Sequence, residues 1–132
     1  MSYQDQYKRW LHSPALSQPE KDELAALSHN AGEIEDRFFS LLQFGTAGLR
    51  GVMGVGLRRM NVHVIRHATQ AFANVILAEG KAFAAQGVAI CYDCRVHSQE
   101  FARAAAEVMA GNGIPVRLFE AMRPTPELSF AV

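Results

Sequence analysis

The stretch that decides the fold runs from Gly87 to Glu120, GVAICYDCRVHSQEFARAAAEVMAGNGIPVRLFE. Val88 to Tyr92 is a short, continuously apolar run behind a glycine, the pattern of a strand covered on both faces. Ser98 is placed to cap a helix whose inner face carries Phe101, Ala105, Val108 and Met109, and Gly111, Asn112 and Gly113 stop it. Val116 to Phe119 makes the next strand. Strand, helix, strand with short connections is a βαβ unit, so the two strands are expected to lie parallel, with a right-handed crossover. The fold class is α/β.

Working outward, Asn61 is a plausible N-cap for a long helix in which Ile65, Ala68, Phe72, Val75, Ile76 and Phe83 recur at spacings of three and four. Before it, FGTAGLRGVMGVG at Phe44–Gly56 holds five glycines, which argue against a regular helix and for a loop or a strand pair broken by loops. Three short helices precede that segment. Tyr3, Tyr7, Trp10 and Leu11 share one face up to Pro14; Ser17 to Glu20 has the form of a capping box with Pro19 in the first turn; and a third piece covers Ile34 to Leu41. The apolar close, Leu128-Ser129-Phe130-Ala131-Val132, has no polar tail, as expected of a domain interrupted before its end. No internal repeat or low-complexity run occurs.

A chain of 132 residues, 49% of them apolar, can bury one ordinary core. Thirteen basic side chains balance thirteen acidic ones, which removes the long-range positive field of a general nucleic-acid binder. Any phosphate ligand must then be met by local arginines and backbone amides. No stretch approaches the ~20 apolar residues of a membrane span, and the polar start MSYQDQYKRW lacks the regions of a signal peptide, so a cytoplasmic location is expected. Cys91 and Cys94 are too few for a disulfide framework.

Ligands of α/β sheets bind beyond the carboxyl ends of the strands, which singles out three loops. FGTAGLRG combines glycines that let amides approach an anion, including Gly48, with the Thr46 hydroxyl and Arg50, whose planar fork matches phosphate oxygens. Read alone, it fits a plain turn as well as a phosphate clamp. It lacks the ending of a nucleotide P-loop and the spacing of a dinucleotide fingerprint. Asp93 and Arg95, directly after a strand, can orient one another and frame a site, or cap the next helix. Arg123-Pro124-Thr125-Pro126 is stiff and holds a backbone path.

Cys91, Cys94 and His97 have a spacing that raises redox or metal roles. Cys91 falls inside a strand rather than at a helix N-terminus, and no second cysteine pair completes a structural zinc set, so ordinary packing is the expectation. His12, His29, His63 and His67 are scattered over helical segments and form no Ser-His-Asp grouping. Arg58, Arg59 and Arg66 read as a solvated face.

Four separated segments, FGTAGLRGVMGVG, RMNVHVIRHATQAFAN, GVAICYDCRVHSQEFARAAAEVMAGNGIPVRLFE and RPTPELSFAV, resemble in order and spacing the N-terminal domain of the α-D-phosphohexomutases, most closely the phosphoglucomutase and phosphopentomutase branch. The resemblance implies a three-layer αβα domain I with a mixed, mostly parallel sheet, here incomplete, over 44–132, behind a helical lead-in at 1–43. It implies a phosphosugar substrate and phosphoryl exchange with a phosphoserine, in a TASHNP-like segment that lies beyond Val132. Thr46, Gly48 and Arg50 would then lie beside that phosphoserine; Asp93 and Arg95 match the family's D-x-R turn, and Thr125 lies in the segment alongside the catalytic loop. No catalytic serine and no metal ligand are expected within the chain, since the resemblance places the magnesium loop in a later domain and leaves Mg2+ and glucose 1,6-bisphosphate to the full-length parent. Cys94 stands where serine is common, and Val96-His97 where His-Asn is common. A chain of this kind is expected to be inactive alone and to self-associate through an open sheet edge. The other reading is a stand-alone binding module without chemistry; a flavodoxin-like nucleotide binder needs about five parallel strands, more than the pattern offers.

Overall fold

A computed structural model describes every residue from Met1 to Val132. Two compact units are present, Met1–Val64 and Ile65–Val132.

In the first unit, α1 (Tyr3–Leu11), α2 (Gln18–Ala25) and α3 (Ala31–Phe38) precede a hairpin of β1 (Phe44–Gly45) and β2 (Gly48–Leu49). Side chains close the helix starts, at Ser17 as the sequence pattern predicts. Ser17 donates to the Glu20 carboxylate from its backbone amide at 2.7 Å and from its hydroxyl at 2.9 Å, and Asn30 accepts from the Glu33 amide. The core is built from Leu16, Leu24, Ile34, Phe38 and Val55. Tyr7 and Trp10 stand edge-on to the Phe38 ring, with centroids 5.8 and 5.7 Å away. The third helix ends at Phe38 instead of Leu41, because the chain leaves helical geometry to let the Leu42 amide donate to the Leu57 carbonyl.

Arg59 is not on a solvated face. It is 8% exposed, and its guanidinium reaches Glu33 at 3.2 Å and Asp36 at 2.6 Å. Arg37 adds bonds to Glu33, Glu23 and the Val55 carbonyl, and Asn61 donates to the carbonyls of Gly54 and Gly56. The glycine-rich loop that follows the hairpin exposes backbone acceptors with no ladder of their own, and these side chains satisfy them. Asn61 also accepts from the Val64 amide, capping α4 (Val62–Ala78), within which the boundary between the units falls.

The second unit continues with α5 (Lys81–Ala84), β3 (Val88–Ile90), α6 (Ser98–Gly111), β4 (Val116–Leu118) and α7 (Thr125–Ala131). The long helix does not reach Phe83: the amides of Glu79 and Gly80 bond three residues back, to Ile76 and Leu77, and Phe83 sits in α5. β3 and β4 pair in parallel with Val88 opposite Val116 and Ile90 opposite Leu118, as a βαβ unit requires. Gly87 makes this pairing close: its φ is +77°, and a Cβ there would stand 2.5 Å from the Pro115 carbonyl oxygen. Ala73, Ile76, Ala84, Met109 and Ile114 form the core, with Val88 and Val116 against it.

One expectation needs correction here. Cys91 and Tyr92 lie beyond the ladder, and β3 is half-buried rather than covered on both faces, because it has one strand neighbour. The apolar close of the chain is helical, within α7, where the proline after Thr125 suits a first turn. The architecture is α/β, but it consists of two sheets of two strands each, β1 with β2 antiparallel and β3 with β4 parallel. No helix is long and apolar enough to cross a membrane.

Candidate functional site

Thr46 and Ala47 form the two-residue turn between the pairs Gly45–Gly48 and Phe44–Leu49. Neither turn residue has a positive φ; the residue that follows them, Gly48, takes one at +108°, the arrangement of an ordinary turn followed by a glycine, and nothing lies within 4 Å of the place a Cβ would take. The glycine therefore serves backbone conformation and not close packing. Arg50 follows the second strand, exposed, and it takes part in none of the ion pairs of the chain. An arginine that no carboxylate engages keeps its five donors for an external anion. The hairpin thus brings Thr46, Gly48 and Arg50 together on one short loop.

In the second unit, the chain leaving β3 turns sharply at Asp93. The Asp93 carboxylate accepts from the Arg95 amide at 3.0 Å and approaches the Arg95 guanidinium at 3.4 Å. The backbone hydrogen bond from Arg95, against a smaller opposing effect of burial and with help from Ser98, holds the Asp93 carboxyl below its ordinary value. Both residues line a cavity of about 470 Å³, with Tyr92, Cys94, His97, Gln99, Glu100 and Arg103 on its other sides. The Arg95 side chain is 86% exposed, so most of its donors face solvent. Thr125 is the first residue of α7 and does not line this cavity. Its segment is nonetheless tied to the end of the strand, since Arg123 donates its amide to the Tyr92 carbonyl at 2.9 Å.

Ser98 does not cap α6. It is the first helical residue, and the N-cap position belongs to His97, whose φ of 65° is left-handed. The Ser98 hydroxyl instead accepts from the Asp93 amide at 3.2 Å, and its own amide donates to the Arg95 carbonyl at 3.1 Å. The sequence carried one signal of this: a polar pair between strand and helix, with a histidine where a left-handed residue is needed. Cys94 is exposed and Cys91 half-buried, both free thiols, so the expectation of simple burial fails for Cys94. No three His, Cys, Asp or Glu side chains converge on one point. His63 is placed by packing: it pairs with Glu20 at 2.9 Å and lies edge-on to Trp10.

Each unit by itself offers a feature suited to an anion: in the first, an arginine without an ion pair follows a glycine turn, and in the second a largely exposed arginine stands beside a post-strand aspartate. Residues 41–132 match the family described as phosphoglucomutase/phosphomannomutase, alpha/beta/alpha domain I. Among curated relatives, the chain is 36% identical to a phosphopentomutase of Mus musculus over 96% of its length, and 38% identical to that of Homo sapiens over 78%. It is 41% identical over 76% of its length to a phosphoglucomutase of Staphylococcus aureus. It spans about a fifth of the length of these relatives, 21% of the first and 18% of the other two. No solved structure matches. The chain belongs to the phosphoglucomutase/phosphomannomutase family and corresponds to its domain I.

Proposed function

We propose that this chain is the first domain of a phosphosugar mutase that moves a phosphoryl group between the 1-position and the end carbon of a hexose or pentose, through a serine-bound phosphoryl group and a bisphosphate intermediate. The observation that carries the reading is Arg50, unpaired on the glycine hairpin. Phosphoryl transfer asks little covalent chemistry of the protein and much charge compensation, and a guanidinium free of carboxylates supplies it. Thr46 and the amides around Gly48 add donors for equatorial oxygens. Asp93 orients Arg95 as a second cationic donor, and Thr125 belongs to the segment that runs beside the reacting loop.

In this reading the nucleophilic serine, the Mg2+ ligands and the sugar-selecting residues come from other parts of the parent, which uses glucose 1,6-bisphosphate as its phosphoryl donor and works in the cytoplasm. The reading includes the family's three-layer αβα domain with a mixed, mostly parallel sheet. The chain alone has no turnover, and its uncovered apolar surface favours self-association. A coupled assay tests this. The parent converts glucose 1-phosphate or ribose 1-phosphate; Arg50→Ala lowers its kcat/KM by about two orders of magnitude, the scale of one lost transition-state donor. Undiminished turnover in Arg50→Ala, or turnover by residues 1–132 alone, contradicts the proposal.

A further inference from the structure

His97 is the one residue other than glycine with a positive φ, at 65°. A left-handed backbone on a side chain is a cost that surrounding contacts must impose, and such strain collects where a loop has to present a group in one direction. The contacts are present. His97 Nδ1 lies 3.0 Å from Glu100 Oε1, and the ring packs against Phe101 with centroids 6.2 Å apart. The Phe101 amide donates to the His97 carbonyl at 3.0 Å. The left-handed step then places Ser98 so that its hydroxyl accepts from Asp93 and its amide reaches the Arg95 carbonyl, while Asp93 holds the Arg95 amide. Two hydrogen bonds, from the Asp93 amide to the Ser98 hydroxyl and from the Ser98 amide to the Arg95 carbonyl, span the reversal at residue 97. The first residue of α6 holds the Arg95 carbonyl, and the Asp93 carboxylate holds the Arg95 amide and approaches its guanidinium.

We propose that His97 is a positioning residue: its left-handed backbone, latched through its ring to Glu100, fixes the direction in which the Asp93 turn presents Arg95 to the cavity. The inference rests on the proposed function for what Arg95 meets there, a phosphoryl oxygen, but not for the positioning itself. Asparagine tolerates the same backbone, and its amide nitrogen can take the place of Nδ1 toward Glu100. Glycine tolerates the backbone better still and removes the latch.

The test uses the chain of residues 1–132, labelled with nitrogen-15. Amide hydrogen exchange of Arg95 and Ser98 is compared in the natural protein and in His97→Gly, His97→Asn and Glu100→Ala, with Val88 and Phe119 as controls in the strand pair. His97→Gly and Glu100→Ala are expected to speed exchange at Arg95 and Ser98 by about ten-fold, through more frequent local opening. The controls stay unchanged, and His97→Asn keeps the natural rates. Unaltered exchange in His97→Gly and Glu100→Ala overturns the proposal, and so does a His97→Asn protein that behaves like His97→Gly. Titration with inorganic phosphate, read at the Arg95 amide, separates the two ideas. If the latch variants loosen the turn while Arg95 of the natural protein ignores phosphate, the positioning stands and the phosphoryl reading of this turn fails.

Discussion

Gly48 and Arg50 divide the work of the hairpin between backbone and side chain. At Gly48 the φ of +108° excludes other residues on conformational grounds although the space is open. Gly48→Ala is expected to lower stability by about 1–2 kcal/mol through strain alone, measured as a shift in urea midpoint with an unchanged slope. Carboxyl groups carry the pH response of the first unit. Glu33 and Asp36 are held below their ordinary values chiefly by hydrogen bonds from Arg37 and Arg59, respectively. For Glu20, burial pushes the value up, but Ser17 and His63 outweigh it and the net direction is down. A carboxyl depressed in the folded state contributes stability that is complete above its unfolded value and lost as pH falls through its folded one. Thermal melts are therefore expected to be level above about pH 5 and to fall below about pH 4. In Arg59→Met the fall is shallower and the plateau lower, because Asp36 loses its chief partner and Glu33 keeps only Arg37. A melt as steep as that of the natural protein contradicts this account.

Among the elements, the helices were the most legible in sequence and the strands the least. The capping box at Ser17 to Glu20 and the spacing of Tyr3, Tyr7, Trp10 and Leu11 mark α2 and α1 through contacts only a few residues apart. Phe38→Ala, at a site 1% exposed and edge-on to two aromatic rings, is expected to cost about 3–5 kcal/mol, seen as loss of the folded baseline in circular dichroism. The parallel pair was legible because glycine, an apolar run and a helical period follow one another from Gly87 to Phe119. What escaped was set by tertiary bonds. Arg59 reads as a surface cation until Glu33 and Asp36 converge on it from twenty-odd residues earlier. Ser98 reads as a cap until the strand end offers it the Asp93 amide. The end of the long helix at Ala78 is a local tightening that apolar spacing does not record.

For the molecule as a whole, the candidate residues were singled out by residue type and motif, and their geometry was not legible. The sequence names arginines beside glycine and aspartate; only the fold discloses that Arg50 has no ion pair while Arg95 is held at its backbone, paired with Asp93 and largely exposed. Apolar surface remains uncovered as well. Phe72, Val75 and Phe83 are each close to half exposed or more and line one groove with Ile76 and Val88. Sedimentation is expected to reveal association of the chain as concentration rises, weakened in Phe72→Glu; a concentration-independent monomer contradicts the expectation.

The central claim is that the hairpin holds a phosphoryl group, and the most direct measurement is a titration of the nitrogen-15-labelled chain with glucose 1-phosphate, set beside glucose. The account predicts saturable shifts at the amides of Thr46 to Arg50, with a Kd of about 1 mM for the phosphosugar, none for glucose, and loss of the response in Arg50→Ala. Equal responses to the two sugars, or a hairpin that does not respond to the phosphosugar at all, would contradict it.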